Sequence, residues 1–243
     1  MRVDVWSDVV CPWCFVGLAN LDEALTRFEH ADDVELVLHS FELDPRAPAR
    51  DDRSLTELLA KKYGASHEQI EASQARLVAL GAERGIDFQF DICKRANSFD
   101  AHRLLHLALD EGGPKAQLDL KHRLGQAYFT DGELISDHDV LRKKAVDAGL
   151  DPGVVDEVLA GDRYADAVRR DELDAQEIGV SGVPFFVVDG RLGLSGAQPP
   201  ETLQRVLERA WPDRVTGRIT MVDDPEAADA DAAEVCGPEG CEV

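Results

Sequence analysis

The chain has 243 residues, long enough for one or two structural units around a substantial core. With 26 basic and 48 acidic residues its formal charge is −22, which argues against nucleic acid or an anionic membrane as its main partner. No run of about 18 apolar residues occurs, so no membrane span is expected.

Met1-Arg2 leads directly into a strand, without a basic stretch followed by an apolar one, and this reads as a cytoplasmic protein. Arg2 to Trp6 reads as that buried strand. Cys11-Pro12-Trp13-Cys14 follows, at the head of a helical stretch from Phe15 to Phe28 whose amphipathic part is Leu18 to Phe28. Val34 to Leu38 reads as a second strand running on to Phe41, which completes a strand–helix–strand unit with a parallel sheet.

From about Ser54 to Ile178 the apolar spacing is helical throughout. Segments at 54–63, 66–84, 99–110, 116–129, 137–148, 154–160 and 163–178 are separated by turn signals such as Gly64, Gly85 and Gly112-Gly113-Pro114. Ser66 to Gln69 and Ser136 to Asp139 resemble capping boxes. Strand character returns at Pro184 to Val188. A turn at Asp189-Gly190, a short strand at Leu192 to Leu194 and a closing helix at Pro199 to Trp211 follow. The predicted fold is α/β and thioredoxin-like, with a large all-α insertion between a βαβ half and a ββα half. Residues 1–50 and 179–221 form the thioredoxin-like part and 51–178 the helical insertion. Residues 222–243 are an acidic mobile tail carrying Cys236-x4-Cys241.

Two cysteines separated by two residues can shuttle between dithiol and disulfide or supply half of a zinc site. The strand-to-helix setting and the transience of cytoplasmic disulfides favour redox work here. The partial positive charge and free N–H groups of a helix N-terminus favour a thiolate, the species that attacks disulfides. Cys11 is therefore expected to be the nucleophile, with a pKa below the free value of about 8.5, and Cys14 the resolving thiol. The potential is expected between roughly −270 and −120 mV. No metal is expected, since no histidine lies near either cysteine pair and the pairs are far apart along the chain, and no tightly bound cofactor is expected.

Ser7 to Cys14, the Gly182-Val183-Pro184 segment and the helical insertion together resemble the DsbA family of thiol–disulfide oxidoreductases. The similarity is greatest to its FrnE-like cytoplasmic branch. The resemblance covers nearly the whole chain, including Asn97-Ser98-Phe99-Asp100-Ala101-His102-Arg103. It implies a cis-proline at Pro184 facing the cysteines and a Val183 backbone free to pair with an extended substrate. It also places Asn97 and His102 near the site, beside the substrate contacts Pro12 and Trp13. Some members carry a C-terminal pair like Cys236/Cys241, which implies a relay to Cys11/Cys14. An idle or regulatory disulfide and a metal half-site remain the alternatives for that pair.

The same superfamily holds glutathione-dependent isomerases and transferases of small aromatic substrates, which form the alternative reading. Those relatives typically carry serine where this chain has Cys11, and an acidic or Asp-Arg pair where it reads Ser195-Gly196-Ala197-Gln198. The expected partner is a disulfide- or thiol-bearing protein or small molecule, with glutathione or another small thiol as redox partner. Cys93 reads as a small buried hydrophobe. Asp8 and His39 are further candidates for moving a proton near the cysteines.

Overall fold

The computed structural model describes residues 1–51, 53–212, 220–221 and 241–242. The chain begins with β1 (Arg2–Ser7), α1 (Pro12–Thr26) and β2 (Glu35–Ser40). Helices α2 (Leu55–Tyr63), α3 (His67–Glu83), α4 (Phe99–Gly125), α5 (His138–Asp147), α6 (Pro152–Ala160) and α7 (Ala165–Glu177) come next. The chain then returns to strands in β3 (Gly182–Val183), β4 (Phe185–Val188) and β5 (Leu192–Ser195), closed by α8 (Pro200–Ala210). Two short strands complete it, β6 (Thr220–Met221) and β7 (Cys241–Glu242).

The main sheet runs β2-β1-β4-β5-β6, with β1 parallel to β2 and antiparallel to β4. The two-residue alternation of a strand sends Val3, Val5, Phe186 and Val188 to one face, where they pack on Leu18, Leu21, Leu203 and Leu207 of α1 and α8. Trp6, Phe185 and Val187 point the other way and pack around Cys11, Cys14 and Val183. A separate apolar core fills the helical block and reaches α1 through Phe15 and Val16.

Two glycines set how closely the layers approach. A Cβ on Gly17 would lie 3.0 Å from the Pro184 ring, and one on Gly125 only 2.1 Å from the Phe15 ring. Thus α1 presses on the proline segment from one side and on α4 from the other. Gly113 has a φ of 71° and divides α4 into two helical stretches, so the Gly112-Gly113-Pro114 signal marks a kink. Ser66 and Gln69 form the expected capping box at the head of α3. At α5 the cap is Asp137, whose side chain accepts from the Asp139 N–H; Ser136 instead donates to the Ala49 carbonyl.

β3, β6 and β7 were not legible as strands. β7 pairs antiparallel with β3 and sets Cys241 opposite Val183. Cys236 lies outside the described residues. Among the described residues no helix is long and apolar enough to cross a membrane.

Candidate active site

Cys11 caps α1 with extended backbone, and Pro12 stands at the first helical position, where its missing N–H costs nothing. The Cys14 N–H bonds back to the Cys11 carbonyl at 3.2 Å, closing the turn. The Cys11 thiol donates to the Val183 carbonyl at 3.5 Å. The next peptide bond, Val183–Pro184, is cis, and the Pro184 carbonyl accepts from the Gly196 N–H at 2.8 Å. One end of the fold thus gathers Cys11, Cys14, Val183 and Pro184. Pro12 and Trp13 are half-buried at its edge.

Both sulfurs belong to thiols and both are 0% exposed. Burial pushes the Cys11 thiol well up, and Cys14 beside it adds to the rise. Cys14 moves the other way. Against the cost of its own burial, the Cys11 thiol, the Lys121 ammonium, the Ser7 hydroxyl and the Asp8 N–H all favour its thiolate. This corrects the expected lowering at Cys11. A helix N-terminus helps that sulfur less than expected, because Pro12 offers no N–H and protein surrounds the thiol on every side. The two sulfurs share one ionisation, centred on Cys14 in this conformation.

A buried polar group lies beneath Cys14. Asp8 is 0% exposed, and its carboxylate accepts from the Leu43 N–H at 2.7 Å and lies 3.2 Å from His102 Nε2. Burial raises its pKa, but His102, the Leu43 N–H and Lys121 together hold it below the ordinary range. Lys121 of α4, also 0% exposed, donates to the Asp8 carbonyl at 2.6 Å. Its burial lowers its own pKa, opposed by the charges of Cys14 and Asp8.

His102, expected at a substrate surface, is 0% exposed and faces Asp8, so it stands behind the cysteines. Asn97 is engaged locally, accepting from the Phe99 N–H at 3.0 Å ahead of α4. The His39 ring is taken up by two carboxylates. It bonds Asp4 at 2.7 Å and Asp171 at 2.9 Å, which ties α7 to the sheet. Cys93 is buried and donates to the Gln89 and Tyr128 carbonyls, and its pKa is pushed up to about 12 by burial and by Asp91.

Lys121 and Ser7 escaped the sequence reading. The spacing of Gln117, Lys121, Leu124 and Tyr128 was a signal for the first, since a helical face that buries the other three buries the lysine with them. Among the described residues no group of three or more His, Cys, Asp or Glu side chains is arranged to hold a metal ion.

Known proteins resemble this chain to different degrees. The crystal structure of a probable DsbA oxidoreductase from Streptomyces coelicolor is 41% identical, covers 100% of this chain and 99% of its own, and superposes with a TM-score of 0.83. The uncharacterized protein YwbO of Bacillus subtilis is 26% identical over 212 residues, 85% of this chain and 96% of its own. The cytosolic disulfide reductase DsbM of Pseudomonas aeruginosa, solved with GSH, is 17% identical. It has a TM-score of 0.60 and covers 87% of this chain and 100% of its own, a likeness of fold. Residues 2–208 match the DSBA-like thioredoxin domain, so the two thiols at the head of α1, set against Val183 and Pro184, are those of a member of that family.

Proposed function

We propose that this protein is a thiol–disulfide oxidoreductase whose working couple is Cys11–Cys14. The observation that carries the reading is the Cys11 thiol at the head of α1, 3.5 Å from the Val183 carbonyl and beside Cys14. Cys11 is the attacking sulfur because it borders the β3 backbone and the turn, whereas Cys14 lies one helical turn deeper. The Cys14 thiolate takes the Cys11 proton. The Cys11 thiolate then attacks a substrate disulfide, forms a mixed disulfide and expels one substrate thiolate, which accepts the proton from Cys14. Cys14 next attacks Cys11, closes the protein disulfide and releases the second substrate thiolate. Two electrons pass from the protein to the substrate, and the reverse sequence oxidises a substrate dithiol. Lys121, with Asp8 and His102 behind it, holds the charge that moves onto Cys14.

The glutathione in the DsbM structure supports a small thiol as exchange partner. The register of β7, with Cys241 opposite Val183, supports Cys236–Cys241 as a second couple. A cytoplasmic location agrees with a couple that must be turned over by thiols. In a turnover assay with 2-hydroxyethyl disulfide, Cys11→Ser should abolish exchange, and Cys14→Ser should accumulate a mixed disulfide detectable by mass. Turnover surviving in Cys11→Ser would remove the assignment. A Cys236→Ser/Cys241→Ser variant should slow recycling at least threefold, and an unchanged rate would make the tail pair a bystander.

A further inference from the structure

A cavity of about 570 Å³ opens beside the thiol pair, between the active-site turn and helices α2 and α3. Pro12, Leu43, Leu58, Leu77, Phe90 and Phe129 are among its walls. Its volume is that of a small-molecule site. Val10 and Pro12, which flank Cys11 in the chain, line it, so one end of the cavity borders the active-site turn.

The charge around this cavity runs against that of the whole chain. Acids outnumber bases 48 to 26 overall, yet the charged wall residues are Arg46, Arg53, Lys61, Lys62 and Arg95, with Asp44 the acid among them. Arg95 is neutralised by Asp44 at 2.5 Å and Asp51 at 3.2 Å, and Arg53 by Asp51 at 2.6 Å. Arg46, Lys61 and Lys62 are exposed and have no acidic partner among the described residues. An apolar chamber with three uncompensated cations at its rim favours one kind of guest, a molecule with an apolar body and an anionic end.

Burial sharpens the choice. Cys11 and Cys14 are both 0% exposed, so any disulfide reaches them only when the active-site turn shifts, and that turn supplies Val10 and Pro12 to the cavity wall. A small molecule in the cavity lies directly against Pro12.

We infer that the cavity binds a small amphipathic anion, apolar within and carboxylate-like at the Arg46–Lys61–Lys62 rim, and presents it to the active-site turn as a disulfide substrate. The substrate role rests on the Cys11–Cys14 reading; the binding does not. For a disulfide guest, the S–S bond breaks with two electrons from the protein dithiol, which an external dithiol restores.

The test is a calorimetric titration of the full chain carrying Cys11→Ser with naphthalene-2-carboxylate and, in parallel, with the neutral naphthalene-2-carboxamide. The carboxylate should bind saturably, one per chain and at least tenfold more tightly than the amide. Lys61→Glu/Lys62→Glu, placed on the exposed side of α2, should cut that preference at least tenfold, with the unfolding midpoint checked for integrity. Raising the salt to 0.5 M should weaken the carboxylate more than the amide. No saturable binding, equal binding of the two probes, or a preference indifferent to the charge reversal would overturn the inference. Turnover of 2-hydroxyethyl disulfide by the unmutated chain is read separately. Binding without turnover leaves the site and removes the couple, while turnover without binding removes the site.

Discussion

Replacing His39 with glutamine should flatten the alkaline side of the stability curve. Both ring nitrogens of His39 face carboxylates, Asp4 at 2.7 Å and Asp171 at 2.9 Å, and the ring stacks on Trp6 with centroids 4.5 Å apart. Only the imidazolium donates from both nitrogens. Burial works against the charged ring, but Asp171 and Asp4 outweigh it and raise its pKa to about 9 from an ordinary 6.5. A difference of that size is worth about 3 kcal/mol, trimmed to about 2–3 kcal/mol by the solvent that reaches the pair. The folded state holds the proton more tightly than the unfolded state. The stabilisation is therefore complete below pH 6.5 and is lost as the pH rises through 9. Cys11 and Cys93 also resist ionisation in the folded state, so the chain loses further stability above about pH 8.5 for an unrelated reason. His39→Gln shares that loss, and subtracting its curve removes it. Asp171 keeps His106 at 3.1 Å in the variant, so it is not left without a partner. Urea midpoints measured from pH 6 to 10 should show the gap between the two proteins narrowing by about 2–3 kcal/mol. Parallel curves, or a gap that widens with pH, would refute the reasoning.

Gly125→Ala should destabilise by about 1–3 kcal/mol despite the better helix propensity of alanine, because the new methyl meets the Phe15 ring at 2.1 Å; a raised thermal midpoint would contradict this. Lys121→Met keeps the volume but removes the cation beside Cys14. The thiolate absorbance near 240 nm should then titrate at higher pH than in the unmutated chain, and an unmoved inflection would show that Lys121 does not act on the sulfur. Cys93 should resist iodoacetamide at pH 8 while the chain is folded and react once it is unfolded, as read by peptide mass. Labelling of the folded chain would contradict its burial and raised pKa.

The elements visible in the sequence are those with a strong local period. The alternation of Val3, Val5 and Trp6, the helical spacing after Ser54 and the glycine turns each encode their own geometry, so β1, β2, β4 and the helices fall where they were read. The strands missed, β3, β6 and β7, span two residues each, too few to display a period. Cys11, Cys14 and Pro184 stood out because their chemistry is rare. Lys121 and Ser7 did not, since lysine and serine on a helix or strand usually face water. The state of Cys11 was misread for a related reason. Helix position is local and legible, whereas burial and the donors around Cys14 come from α4 and from residues at the end of β1. His39 and Asp171 lie 132 residues apart, and no local signal joins them.

The central place of β1 also bears on how the chain is made. Val3 is flanked by Leu36 on one side and Val188 on the other. The first neighbour leaves the ribosome early, but the second is synthesised about 185 residues after Val3 itself. At roughly 5–20 residues per second, that edge waits on the order of 10–40 s for its partner. Throughout that interval the main-chain donors and acceptors of an apolar strand stand open to pairing with another nascent chain. The inserted helices, rich in local contacts, form meanwhile without it. The yield of folded protein is therefore set by how well this one edge is sheltered during translation, and slower initiation, which spaces the ribosomes, should raise it.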